Sequence, residues 1–173
     1  MTWTAPKMNR DDPPRVGDER TLLDAWLDFH RQTLLWKCAG LTAGELAARS
    51  AEPSTLSLLG LVRHMAEVER GWFRHGFGRD PVGPLYCREE RPEADFDEVD
   101  PRNAERDIAT FRQEVGLARA AADGHSLDET FLQERRGSEV SLRWIYLHMI
   151  EEYARHNGHA DLLRERIDGA TGD

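Results

Sequence analysis

The sequence predicts an all-α protein, and both its composition and its apolar spacing indicate this class. Leu, Ala, Glu and Arg are abundant while Val and Ile are few, which favours helices over strands. Apolar residues recur every three or four positions in four long segments, the period of a helix packed on a core. Four such helices predict a four-helix bundle. The 173 residues suffice for one domain, expected over residues 18–168 and followed by a tail at 169–173.

The first third of the chain predicts an arm followed by a long and a short helix. Residues 1–17 contain two consecutive prolines, which favour an extended arm. Helix one is expected over residues 19–39, with one apolar side. Its inward-facing residues are Leu23, Trp26, Leu27, His30 and Leu34. Thr42 and Glu45 have the spacing of a capping box, and the short helix that they start is expected to end at Arg49.

Three further helices and two long connections complete the chain. Helix two is expected over residues 57–75 and ends before two glycines. Residues 79–100 form a loop rich in proline and acids, helix three covers 101–122, and a second connection covers 123–140. Helix four covers 141–167. Connections longer than about 12 to 15 residues are uncommon unless functional, so we expect each to cross the bundle or cover one end.

The apolar stripe of helix four contains two ionisable residues. Its members, spaced by three or four residues, are Leu142, Ile145, Met149, Glu152, His156, Ala160 and Leu163. Burying an unpaired carboxylate costs several kcal/mol, so Glu152 requires a compensating partner. A divalent metal would supply it, because residues at i and i+4 project to neighbouring points on one helix face.

Helix two offers a third ligand. His64 stands at helical spacing between Leu61 and Val68, at the edge of the apolar face. If the two helices lie side by side, His64, Glu152 and His156 form one site. Two nitrogens and one carboxylate oxygen with a fourth position open are the ligands of a catalytic zinc site. Nickel or another transition metal is an alternative ion, and packed or surface histidines are the alternative interpretation.

Two segments of the chain resemble the DinB superfamily of four-helix metalloproteins. They are LVRHMAEVERGWF on helix two and HMIEEYARHNGHADLLRE on helix four, and the resemblance extends over residues 18–168. It implies one His ligand from helix two and two ligands four apart on the last helix. It also implies an up-down-down-up order with helices two and three parallel, and a homodimer as a common assembly.

The last-helix motif departs from the usual pattern of that superfamily. The usual pattern is H-x-x-x-H-x-G-Q, whereas this chain has Glu152 at the first position and His159 at the last. A His/Glu/His set is similar to that of the mycothiol-dependent maleylpyruvate isomerases, an actinobacterial branch. The resemblance is closest to small actinobacterial DinB-type proteins. It implies a low-molecular-weight thiol such as mycothiol as co-substrate.

Charge and hydropathy exclude several classes of protein. A formal charge of −9 argues against a nucleic-acid surface, because phosphate binding needs a basic patch. No run of 18 apolar residues is present, so no membrane span is expected. The N-terminus has no apolar core of a secretory signal, and a cytoplasmic protein is expected. Cys38 and Cys87 do not form a disulfide framework, and a packed cysteine and a free loop cysteine are expected.

Other polar and aromatic residues have alternative interpretations. His148, four residues before Glu152, competes with His64 as third ligand. His159 is expected either to hydrogen-bond to a ligand or to lie on the surface, and His30 to face the pocket. Glu67 and Glu69 are expected to form surface ion pairs with nearby arginines. The tryptophans expected in the core are Trp26, Trp36, Trp72 and Trp144.

Two classes of function follow from these residues and from the resemblance. The leading hypothesis is a divalent-metal-dependent S-transferase that joins a mycothiol-type thiol to a small electrophile. Hydrolysis by a metal-activated water would use the same ligands. The alternative is a bundle that binds metal or a small ligand without catalysis, in a stress-response role. Neither class involves a nucleic acid or a membrane.

Overall fold

The fold consists of long helices and one small β-hairpin, and a computed structural model describes residues 2–133 and 137–172. The helices are α1 (Glu19–Cys38), α2 (Ala43–Ala47), α3 (Leu58–Glu69), α4 (Ala94–Asp97), α5 (Ala104–Ala122) and α6 (Leu142–Asp168). A π-helical segment, Arg70–Phe77, continues α3, and a 3₁₀ turn, Pro101–Asn103, precedes α5. The strands β1 (Thr130–Gln133) and β2 (Ser138–Ser141) form the hairpin. The all-α prediction is therefore confirmed at the level of class.

Contacts at both ends show that α1 and α6 run in the same direction. Arg143 at the start of α6 donates to the Glu19 carboxylate at the start of α1, at 2.9 Å. Near the other end, Arg164 of α6 donates to the carbonyl oxygens of Lys37 and Ala39 at 2.8 and 3.0 Å. The two helices thus lie side by side along most of their length.

The direction of α3 and α5 follows from two ion pairs between them. Arg63 contacts Asp107 at 3.3 Å, and Arg70, one residue beyond α3, contacts Glu114 at 2.7 Å. Both pairs advance along the chain together, so α3 and α5 are parallel. Glu69 contacts Tyr153 of α6, whereas His64, which comes earlier in α3, contacts His156, which comes later in α6. The helices α3 and α6 are therefore antiparallel. The up-down-down-up bundle as a whole stays a prediction.

Side-chain caps fix where the helices begin. Asp18, Ser57 and Ser141 each accept a backbone N–H from the first turn of α1, α3 and α6. The predicted capping box of Thr42 and Glu45 at α2 is present. Gly169 ends α6 in the left-handed region, with φ +78°, which glycine adopts without a Cβ clash. No described helix combines the length and the apolarity needed to cross a bilayer.

Backbone hydrogen bonds connect the N-terminal arm to the rest of the fold, and its extended form stays a prediction. Ala5 donates its N–H to the Leu41 carbonyl and accepts from Gly40, at 2.8 and 2.9 Å. These hydrogen bonds attach the arm to the turn after α1. The core is formed chiefly by apolar side chains of α1, α3, α5 and α6. Its largest fully buried members include Leu27, Leu34, Leu58, Met65, Phe73, Phe111, Ile145 and Tyr153.

The two long connections contain more structure than predicted. Residues 123–140 were expected to form a loop, but within them Phe131 pairs with Val140 in the hairpin. Its strands have four residues each, too short for an alternation that stands out in the sequence. The loop 79–100 contains α4. Helix two does not stop at His75: it continues to Phe77 in the π form, with Gly78 donating to the Phe73 carbonyl at 2.8 Å.

Two predictions about polar and aromatic side chains were wrong. Glu69 was expected on the surface, but it is 0 % exposed, because Arg31 of α1 and Tyr153 of α6 enclose its carboxylate. Trp26 and Trp144 were expected in the core but are 44 % and 39 % exposed, because their rings pack mainly on other partly exposed rings, Trp26 on those of its own helix and Trp144 on Trp72. Trp36 and Trp72 are half-buried.

Candidate metal centre

Three side chains converge where α3 crosses α6. One ligand atom each from His64, Glu152 and His156 lies within 4.8 Å of the others. His156 Nε2 is 3.4 Å from Glu152 Oε2, and the rings of His64 and His156 are 4.8 Å apart between centroids. The side chains of His64, Glu152 and His156 are 24 %, 20 % and 12 % exposed, so solvent reaches the group from one side. The structure brings together the residues that the sequence singled out.

The spacing of these atoms fits a tetrahedral divalent metal. Zinc lies about 2.0–2.2 Å from nitrogen and carboxylate ligands, which places two tetrahedral ligand atoms about 3.3–3.6 Å apart. The 3.4 Å between His156 and Glu152 falls in that range, and the ligand atom of His64 lies within 4.8 Å of both. The two nitrogens and one oxygen would occupy three positions of a tetrahedral ion and leave the fourth for another ligand.

His64 is oriented by a carboxylate that the sequence did not single out. Asp95 Oδ2 on α4 accepts a hydrogen bond from His64 Nδ1 at 2.8 Å, which leaves Nε2 free to bind a metal. Burial would raise the pKa of Asp95, but the hydrogen bond and the charge of His64 outweigh it and lower that pKa. Asp95 is 31 positions from His64 in a segment predicted as loop, so no periodicity points to it.

Arg63 and Glu67 of α3 hold the segment that carries Asp95. Arg63 donates to the carbonyl oxygens of Ala94 and Asp95, each at 2.8 Å. One turn later, Glu67 accepts the backbone N–H of Leu85 at 2.9 Å, and those of the next two residues. The face of α3 that presents His64 therefore also fixes the wall beside it.

The second imidazole is poised to bind a metal at neutral pH. Burial, reinforced by the neighbouring His64 and His159, lowers the pKa of His156 to about 4. The ring is therefore neutral, and one of its two nitrogens has a lone pair available. Its Nδ1 lies 3.4 Å from Nδ1 of His159, so the structure places His159 beside the candidate ligand.

His148 lies next to the group but belongs to a different cluster. Its ring stacks on Trp144 at 4.8 Å, and its Nε2 is 3.8 Å from Glu152 Oε1. Within residues 2–133 and 137–172, the second set of possible ligands is His148, Glu151 and Glu152. That set lies on one helix and does not include His64. The third sequence candidate, His30, instead contacts Asn157 on the α1–α6 side.

A cavity of about 770 Å³ opens at His64 and extends along the π-helical segment. It lies within the range of about 300–1,000 Å³ that small-molecule sites occupy. Of the three candidate ligands, only His64 contributes to its wall. The residues around it are His64, Glu67, Val68, Gly71, Trp72, His75, Gly76, Arg79, Asp80, Pro81, Cys87, Pro92, Glu93, Asp95, Phe131, Leu132 and Gln133.

Comparison with known proteins identifies one family. The sequence model of the family described as MST, mycothiol-S-transferase, matches residues 22–169, which include most of α1 and all of α6. This match confirms the DinB-type resemblance. No curated protein and no solved structure matches the chain.

Proposed function

The chain belongs to the mycothiol-S-transferase family, and on that premise we propose that it joins a mycothiol-type thiol to a small electrophile at a divalent-metal site. His64, Glu152 and His156 would hold the ion. Their convergence from two helices into one group carries the proposal. Zinc is the ion we expect from two imidazoles and a carboxylate, with nickel or another transition metal as the alternative.

The cysteines of the chain support an external thiol as nucleophile. Burial raises the pKa of Cys38 to about 12 and that of Cys87 to about 11. Both thiols therefore stay protonated near neutral pH, and the thiolate is the nucleophilic form. The attacking sulfur would then come from a co-substrate, as the family description implies.

Each residue of the site has a definite task in this reaction. His64 and His156 would each offer a ring nitrogen, Glu152 would offer a carboxylate oxygen, and Asp95 fixes the ring of His64. A bound divalent metal lowers the pKa of a thiol that coordinates it. In the transfer, a sulfur–carbon bond forms while the bond from that carbon to the leaving group breaks. The leaving group departs with the electron pair, and the thiol proton goes to solvent.

The proposal is tested first by metal content and turnover. Protein purified without a tag or added metal should contain one divalent ion per chain. It should accelerate the reaction of mycothiol with benzyl chloride, a chelator should abolish this rate, and zinc should restore it. Metal retained without turnover across several thiols and electrophiles would favour the non-catalytic alternative.

Variants separate the ligands from their neighbours. The combined replacement of His64, Glu152 and His156 by Ala should remove the ion and leave the helical circular-dichroism signal unchanged. Glu165→Ala is the control, because Glu165 is an exposed carboxylate of α6 outside both sets of possible ligands. Stoichiometric metal in the triple variant would refute the ligand assignment. Glu152→Gln should bind metal more weakly, since it removes the negative ligand.

A further inference from the structure

The cavity that starts at His64 has two walls of different origin. One wall is a continuous face of α3 and the π-helical segment, on which His64, Val68 and Trp72 follow at spacings of four residues. Eight residues of helix separate His64 from Trp72, about 12 Å at 1.5 Å per residue. The other wall includes Phe131 and Leu132 of β1. The cavity therefore leads from the candidate ligand to an apolar region.

Three of the four carboxylates that line the cavity are compensated within the protein. Glu67 accepts three backbone N–H groups, Asp95 accepts from His64, and Asp80 pairs with Arg74 at 3.0 Å. The other charged lining residues, Arg79 and Glu93, are exposed. The part of the cavity that can enclose a guest is therefore the apolar region near Trp72, which favours an uncharged group.

The far region is lined by aromatic and aliphatic side chains. Leu132 lines the cavity and is 50 % exposed, so a ligand can reach it. Trp72 is held in place by Trp144 and His148, with ring centroids 5.1 and 4.9 Å away. The absence of a side chain at Gly76 lets Phe131 approach, since a Cβ there would lie 3.1 Å from that ring. A fixed indole beside an accessible leucine suits a planar apolar group.

We propose that Val68, Trp72, Phe131 and Leu132 form the subsite for the electrophile, and that they select electrophiles with an apolar, preferably aromatic, group. This inference rests on the proposed transferase function. The reacting carbon of such a substrate would lie toward His64 and its apolar group toward Trp72. In the reaction with benzyl chloride, the thiol sulfur bonds to the benzylic carbon, chloride leaves with its electron pair, and the thiol proton goes to solvent.

Gly71 allows the subsite to be blocked without touching the ligands. It lines the cavity, and a Cβ added there would meet no atom within 4 Å. Gly71→Leu should therefore fill the cavity. Gly116→Leu on α5 is the matched control, because its Cβ is equally free and Gly116 lies outside the cavity. Trp72→Ala is a second variant that removes the aromatic wall instead of filling the space.

Kinetics with two electrophiles measure the preference. For benzyl chloride, Gly71→Leu and Trp72→Ala should each raise KM about tenfold or more, the scale on which apolar pockets discriminate. For chloroacetamide, which has no apolar group, KM should change far less, and metal content should be that of the wild type. Gly116→Leu should leave both values unchanged. Equal changes for the two electrophiles would overturn the inference.

Binding of an unreactive probe separates this inference from the proposed function. We expect 4-fluorotoluene, followed by ¹⁹F line broadening, to bind the metal-free wild type and Gly116→Leu but not Gly71→Leu. Such binding in a protein that shows no turnover would refute the transferase proposal and leave the apolar subsite standing. Failure of 4-fluorotoluene to bind, or equal binding by Gly71→Leu, would refute the subsite.

Discussion

At the scale of single residues, the candidate centre includes Asp95, which orients His64 and is not itself one of the three candidate ligands. Asp95 fixes both the ring orientation and the tautomer of His64, because its carboxylate accepts the Nδ1 proton and leaves the Nε2 lone pair for metal. Without this acceptor, His64 can rotate or place its proton on Nε2. The carboxylate is 4 % exposed, so water does not readily replace it.

We predict that Asp95→Asn weakens metal binding by about 10- to 100-fold, the usual effect of losing a carboxylate behind a ligating histidine. Competition against a zinc indicator measures the dissociation constant. Asp97→Asn is the control, because Asp97 lies on the same short helix with an exposed side chain. Equal affinities of the two variants would show that Asp95 does not orient the ligand.

A second residue-scale prediction distinguishes His64 from His148, the two candidates for the third ligand. His64→Ala should lose most of its metal affinity, because it removes the ligand contributed by α3. His148→Ala should retain metal, since the His148 ring stacks on Trp144 and its Nε2 is 3.8 Å from the Glu152 carboxylate. His159→Ala should fall between them. Metal analysis after dialysis decides, and loss in His148→Ala with retention in His64→Ala would reverse the assignment.

At the scale of elements, α3 organises the centre along one face. Arg63 hydrogen-bonds to α4 and Glu67 to the loop before α4, and the candidate ligand His64 lies between them on the same helix. Arg63 is 4 % exposed and also pairs with Asp107 of α5. A single helix thus fixes the distance between the ligand and the carboxylate behind it.

We predict that Arg63→Met destabilises the fold by about 3–5 kcal/mol, because it removes the buried cation of Asp107 and leaves only the longer 3.8 Å contact with the exposed Arg106. It should also weaken metal binding, because Arg63 holds the segment that carries Asp95, although its guanidinium contacts none of the candidate ligands. Urea unfolding gives the first quantity and competition with an indicator the second. Arg112→Met, at an exposed position of α5, is the control.

A double-mutant cycle tests whether Arg63 acts through Asp95. If it does, Arg63→Met should weaken metal binding much less in the Asp95→Asn background than in the wild type. Arg63→Lys, which keeps the charge, provides a second variant if Arg63→Met does not fold. Additive effects on the dissociation constant would mean that Arg63 supports the fold alone.

At the scale of the whole molecule, a buried ion pair joins three helices beneath the centre. Glu69 accepts two hydrogen bonds from Arg31 of α1, both at 2.7 Å, and one from Tyr153 of α6 at 2.7 Å. The two-pronged pairing satisfies both carboxylate oxygens. Burial raises the pKa of Tyr153 well above its usual value, so its hydroxyl keeps the proton that it donates.

We predict that Glu69→Gln lowers the free energy of unfolding by about 3–5 kcal/mol, because buried Arg31 would lose its two-pronged partner and keep only Asp28, whose side chain is 33 % exposed. Tyr153→Phe should lower it by about 1.5–3 kcal/mol, the range for a hydrogen bond to a charged group. Glu165→Gln, at an exposed position of α6, should change it by less than about 0.5 kcal/mol. Urea unfolding measures all three. A loss below about 1 kcal/mol for Glu69→Gln would contradict a structural role for the pair.

The sequence by itself determined those features that depend on neighbours along one helix. The capping box of Thr42 and Glu45 was predicted from side chains within a single turn. The limits of α1 and α6 agree with prediction to within one residue, because caps and apolar period act over a few positions. The pairing of Glu152 with His156 was likewise readable from their spacing. Their role as ligands stays a prediction.

Only the tertiary structure decided which distant side chains meet. Asp95 reaches His64 across 31 positions, and Arg31 reaches Glu69 across 38, so no local pattern marks either pair. The π-helical form of residues 70–77 could not be predicted either. It differs from an α-helix in hydrogen bonds that span five residues, and these leave no pattern in the sequence. Propensity and periodicity act along the chain, whereas burial of a charge depends on the partner that packing brings to it.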